Sequence, residues 1–157
     1  MITFFHDVGD PLSHLAAAGL QRIAQRYNVV IAPFLVDSPE PGAVPEPALH
    51  RPWACNDATR LAARAGIAFA PTKTPEPDRI AQAEAALAGQ LADGAAFLDM
   101  AVEAGERLWS GATLPAASAA AETVGAAKAA GSALRSDRGH FLGGVYTYGD
   151  EWFLGLD

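Results

Sequence analysis

Between Phe5 and Leu15 the sequence sets two histidines, two aspartates and a serine: His6, Asp7, Asp10, Ser13 and His14. Imidazoles, carboxyls and a hydroxyl at this density are the groups that move protons or hold a charged ligand. Each also has a plain structural explanation. Asp10 precedes Pro11, and an Asp-Pro pair opens a helix unaided: the carboxylate accepts a backbone N–H of the first turn, and proline has no N–H to lose there. Ser13 falls in that first turn, as readily an ordinary helical serine as a donor to a ligand. His6 and His14 flank the loop and read as surface or core histidines before general bases. Asp7 reads as an acceptor for the loop backbone. Cys55 is the single cysteine, which excludes an internal disulfide, a CxxC redox pair and a cysteine-based structural zinc site. It reads as a buried structural thiol, although a helix start could lower its pKa. No metal site is read from the sequence.

These residues need a strand and a helix to hold them. Ile2, Thr3, Phe4 and Phe5 are β-branched or aromatic and form a run short enough for a buried strand. Leu12, Leu15, Ala16, Gly19, Leu20, Ile23 and Tyr27 recur at three- and four-residue spacing, which predicts a helix with one core-facing stripe, ending at Asn28. Val29 to Val36 is a second strand, and the three elements make a βαβ unit with a right-handed crossover. Ligands in open α/β sheets bind beyond the carboxyl ends of the strands. The loop from Asp7 to Ser13 lies there, and the free N–H groups of the helix start favour an anion or a thiolate.

At 157 residues the chain is expected to be a single domain with a proper core. Its net charge of −7, without a basic stripe, argues against nucleic acid. No apolar run reaches the length of a membrane span. The N-terminus lacks the basic and apolar regions of a secretory signal, so a cytoplasmic location is expected.

Five prolines between Asp37 and Pro52 predict a stiff, extended connection. Helices are expected over Trp53 to Ala65, Asp78 to Ala92 and Ala95 to Trp109. Weaker alanine-rich helices are expected over Leu114 to Val124 and Ala126 to Leu134, interrupted at Gly125 and Gly131. Val145 to Tyr148 and Glu151 to Leu156 read as a hairpin around Gly149-Asp150. A final helix covering the hairpin is expected and absent from the sequence. Either the sequence is a fragment or something else covers that face.

The order strand, helix, strand, helical block, hairpin resembles the DsbA-like branch of the thioredoxin fold. Within it, the chain resembles 2-hydroxychromene-2-carboxylate isomerases and kappa-class glutathione transferases. Asp10-Pro11-Leu12-Ser13-His14-Leu15-Ala16 stands where those proteins carry Ser-Pro-Tyr-x-Tyr-Leu-Ala. Leu142-Gly143-Gly144-Val145 stands for their Gly-Val-Pro-Thr, and Gly155-Leu156-Asp157 for an ending like Gly-Gln-Asp-Arg-Leu. The resemblance implies one α/β thioredoxin-like domain over residues 1–157 with a helical insertion at about 46–138. It implies a small-molecule substrate, glutathione, and a possible homodimer. It places Asp10 and Ser13 at the catalytic positions, and Pro11, Asn56, Gly143, Gly144 and Asp157 among the glutathione contacts, with Arg51 and Trp53 on the approaching linker.

The departures are as informative. Asp10 and Ser13 occupy the two cysteine positions of the redox members, so dithiol exchange is impossible. Asp10 also replaces the serine that donates to the glutathione thiolate, and a carboxylate at roughly 4 Å would raise a thiol's pKa. Ser13 could donate instead. Gly144 replaces a cis-proline, while Gly143 could pair with an extended glutathione backbone. The implied activity is a glutathione-dependent isomerase or transferase. The rival readings are a catalytically degenerate domain that binds a small ligand, and an interaction module that pairs through the hairpin.

Overall fold

The computed structural model describes residues 1–156, with Pro41 and Pro47 described by backbone alone. Ten elements follow one another: β1 (Ile2–His6), α1 (Pro11–Arg26), β2 (Ile31–Leu35), a 3-10 turn (Pro41–Ala43), α2 (Pro47–Ala65), α3 (Pro77–Ala88), α4 (Gly94–Ser110), α5 (Ala121–Asp137), β3 (Val145–Tyr148) and β4 (Glu151–Leu154). The sheet order is β2-β1-β3-β4. β1 pairs parallel with β2 and antiparallel with β3, which turns back through Gly149-Asp150 into β4.

Every residue of β1 is buried, because helices cover both faces of the sheet. Alternate side chains of a strand point to opposite faces. Ile2 and Phe4 enter a core with Ala16 and Leu20 of α1, Leu87 of α3, and Phe97, Leu98 and Ala101 of α4. Phe5 enters a smaller cluster with Val36, Val145, Leu134 of α5 and Trp152. A strand covered on both sides need carry no polar alternation, and in the opening run only Thr3 interrupts the apolar residues before His6.

Helix α1 is gripped from more directions than a single stripe implies. Leu15 packs with Ala58, Ala62 and Phe69 in a third cluster against α2, while Ala16, Ala17 and Leu20 face the main core. Ser13 and His14 are therefore buried with their apolar neighbours. Tyr27, placed on the core stripe by its spacing, lies beyond the last helical residue and is 57% exposed.

Three sequence expectations are corrected. Helix α2 starts at Pro47, inside the stretch expected to be extended, and carries Pro52 within it. Pro47 stands at the first helical position, where proline is tolerated, so proline density alone misjudged this segment. The two interrupted helices after Leu114 are one continuous helix, α5, preceded by an irregular segment. Gly131 does not break it: a Cβ there would collide with the Leu35 carbonyl of β2, so glycine is what lets α5 run close across the sheet edge. Helix α3 also ends earlier than expected, at Ala88. Among the described residues, no helix is long and apolar enough to cross a membrane.

Candidate functional site

The turn from β1 to α1 is fixed by Ser13. Its Oγ accepts the Asp7 backbone N–H at 3.0 Å and lies 2.8 Å from His6 Nδ1. With the oxygen already accepting, the hydroxyl proton is assigned to His6 Nδ1, which leaves the ring's own proton on Nε2. Burial, then the nearby His14, hold His6 down to about pKa 3, so the ring is neutral and suited to accept. His14 is also buried and neutral, lowered to about 4 by desolvation, with its ring 4.4 Å from that of Phe69. Both histidines are core residues, and Ser13 is fully buried.

The two aspartates do face a cleft. Asp10 caps α1, accepting the Leu12 N–H at 2.9 Å through Oδ1. Asp7 Oδ1 accepts the Gly9 N–H at 3.0 Å, and the nearby Ser38 hydroxyl favours its charged form. Gly143 packs so closely on Asp7 Cβ that no side chain fits there, and a Cβ on Gly144 would lie 2.8 Å from the Ser13 backbone. The segment before β3 is thus pressed against the start of α1, and two adjacent glycines make that approach possible.

A cleft of about 320 Å³ opens above this junction. Asp7, Asp10 and Pro11 line one side, Gly143 and Leu142 another. Across it stand Ser38, Pro39, Glu40 and Val44 after β2, and His50, Arg51 and Ala54 of α2. The lining combines an apolar surface, two carboxyls at the helix start, and a guanidinium. Desolvation and the neighbouring Asp7 raise Asp10 to about 8, against the pull of the Leu12 and Ser13 N–H groups. Asp7 is also raised by burial, which the Ser38 and Gly9 bonds and the charges of Lys128 and Arg135 oppose. Cys55 is buried, and desolvation followed by Asp10 pushes its thiol upward, against the pull of Arg51.

The structure thus brings together Asp7, Asp10, Pro11, Arg51 and Gly143 of the residues singled out in the sequence. It does not bring the others to the cleft. Ser13 turns inward, so its hydroxyl is not presented to a ligand. Asn56 is exposed on α2 and is not part of the lining, and Trp53 is 53% exposed beside His50. Gly144 spends its N–H on the Phe5 carbonyl and its own carbonyl on the Gly155 N–H, so neither is left to pair with a peptide. Its φ of +68° is the left-handed backbone that glycine allows. Asp157 lies outside the described residues. Sequence reasoning missed Ser38, Glu40 and His50, because they sit in or next to the proline-rich segment read as a linker.

No family model matches the chain, and no curated protein matches it in sequence. Among solved structures, one of a 2-hydroxychromene-2-carboxylate isomerase superposes with a TM-score of 0.65 and 18% sequence identity, covering 99% of this chain and 89% of that one. The chain has a DsbA-like thioredoxin fold. In this DsbA-like domain the cleft lies at the N-terminus of the first helix, facing the segment that leads into β3. At this identity the likeness carries the fold alone.

Proposed function

We propose that this domain is a glutathione-dependent isomerase or transferase-like enzyme acting on a small molecule, related in function to the 2-hydroxychromene-2-carboxylate isomerase that it resembles in fold. The observation that carries the reading is the position of the cleft: a mixed apolar and charged cavity of about 320 Å³ at the start of α1, on a fold shared over nearly the whole chain. The residues present fit a tripeptide thiol in part. Arg51 and His50 offer cations or donors to its carboxylates. Pro11, Pro39, Val44 and Leu142 give it an apolar surface. Gly143 allows close approach. The thiol would supply a nucleophile, and the chain's part would be to orient it and to hold the charge that develops near the α1 N-terminus.

A second reading has specific support: the cleft binds a small ligand without chemistry. The Ser13 hydroxyl is committed to His6 and the Asp7 N–H, so the donor expected of an active relative is missing from the cleft. A calorimetric titration with glutathione on the parent and on Asp10→Ser separates the two. Micromolar binding by the parent supports the enzyme reading. Binding by Asp10→Ser alone supports an inherited scaffold with another ligand. No heat from either protein removes glutathione from the account.

A further inference from the structure

A carboxylate where a thiolate or another anion should sit is an electrostatic contradiction, and the surroundings of Asp7 and Asp10 resolve it. The two carboxyls belong to one loop, and the Asp10 N–H is bonded to the Asp7 carbonyl at 3.1 Å. Their environments differ. Asp7 receives the Gly9 N–H, with the Ser38 hydroxyl and the Lys128 and Arg135 charges of α5 near enough to favour its ionised form. Lys128 is anchored there at 2.7 Å from Glu84 and 3.0 Å from Asp37, and Arg135 donates to the Asp37 carbonyl at 3.1 Å. Asp10 receives only backbone N–H groups of its own helix, and among the described residues no lysine or arginine forms an ion pair with it. When two neighbouring carboxyls share one proton, it goes to the one with less support for its charge.

We propose that Asp10 is the proton donor of this cleft, offering its carboxylic-acid hydrogen to an anionic or electron-rich atom of a bound ligand, and that Asp7 is the neighbour that keeps it a donor. The proposal rests on the cleft being the ligand site and deepens the functional reading given above. It fills the role that Ser13, turned into the core, cannot take. As charge builds on the ligand, the proton moves from the Asp10 carboxyl to that atom; as the charge disperses, it returns. One proton is exchanged and no redox partner is involved. The upward displacement of Asp10 to about 8 agrees with this placement of the proton. The other groups around Asp10 are Glu40 from the loop after β2 and His50, Arg51 and Cys55 from α2. Arg51 is the cation among them, and it is left to meet the ligand's own negative charge.

The test has two parts on the full chain. Carboxyl ¹³C NMR of labelled aspartate follows Asp10 directly, its signal assigned by Asp10→Asn. It should titrate above neutral pH in the parent and at lower pH in Asp7→Asn, where the like charge is gone. Calorimetry then follows cinnamate, which offers Arg51 a carboxylate and the cleft an apolar body, and glutathione separately, from pH 6 to 9. Affinity for the probe should fall by about tenfold or more in the parent as Asp10 loses its proton, and stay level in Asp10→Asn, which cannot ionise. The profile with either probe supports the proposal. An Asp10 signal already ionised below pH 5 overturns it, as does the absence of the profile with both probes. If cinnamate shows the profile and glutathione does not bind, Asp10 stands as the donor and only the glutathione reading falls.

Discussion

Asp10→Asn should change how stability depends on pH far more than it changes stability in mild acid. In the unfolded chain an aspartate loses its proton near 3.8, whereas in the folded protein Asp10 keeps it to about 8. Between those values the native state holds a proton that the unfolded state has released. The raised carboxyl therefore favours folding at low pH, and that contribution is lost as pH climbs toward 8. At 1.36 kcal/mol per unit, the four-unit window corresponds to a ceiling of about 5 kcal/mol. Solvent reaching the half-buried side chain brings the expected loss to about 2–3 kcal/mol. Asparagine caps a helix about as well as aspartate, so the variant should lie within about 1 kcal/mol of the parent near pH 4.5. By pH 8.5 it should be the more stable protein by about 2–3 kcal/mol. His6 and His14 act in the opposite sense: held neutral while the unfolded chain takes up protons, they make both proteins gain stability as pH rises from about 4 to 6.5. That effect cancels in the difference between variant and parent. Urea unfolding followed by tryptophan fluorescence at three pH values measures it. A difference that stays constant within about 0.5 kcal/mol across the range would refute both the buried acid and the reasoning that placed its proton.

Two further substitutions probe the frame around the cleft. Ser13→Ala strips His6 Nδ1 and the Asp7 N–H of their shared partner in a fully buried place; a loss of about 2–3 kcal/mol is expected in urea unfolding, and an unchanged midpoint would show that the hydroxyl does not hold the turn. Gly105→Ala drives a methyl group into the His14 ring, with the ideal Cβ 2.8 Å from Cε1, at an expected cost of about 1–3 kcal/mol. Adding His14→Ala should recover part of that loss in a double-mutant cycle, and strict additivity would mean that the two residues do not meet.

Local signals were enough to place the elements that agree with their surroundings. The opening apolar run, the Asp-Pro cap, the helix behind it and the closing hairpin are all legible, because strand composition, capping and turn residues act over a few positions. The motif positions at the two ends were legible too, and they led to the fold. What the sequence could not decide was direction and company. Ser13 and Asp10 stand three residues apart on one turn, yet one is sealed against His6 and the other faces the cleft. That division follows from α1 being packed by the sheet, α2 and α4 together, which no single-helix pattern reveals. The prolines before Trp53 read as a linker, whereas in the fold they lead into α2 and carry His50 and Arg51 to the cleft wall. Gly131 looked like an interruption and proves to be a point of close contact. Charge placement was the last matter left to tertiary structure: which of two aspartates keeps its proton depends on Lys128 and Arg135, more than a hundred positions away in sequence and brought near by α5.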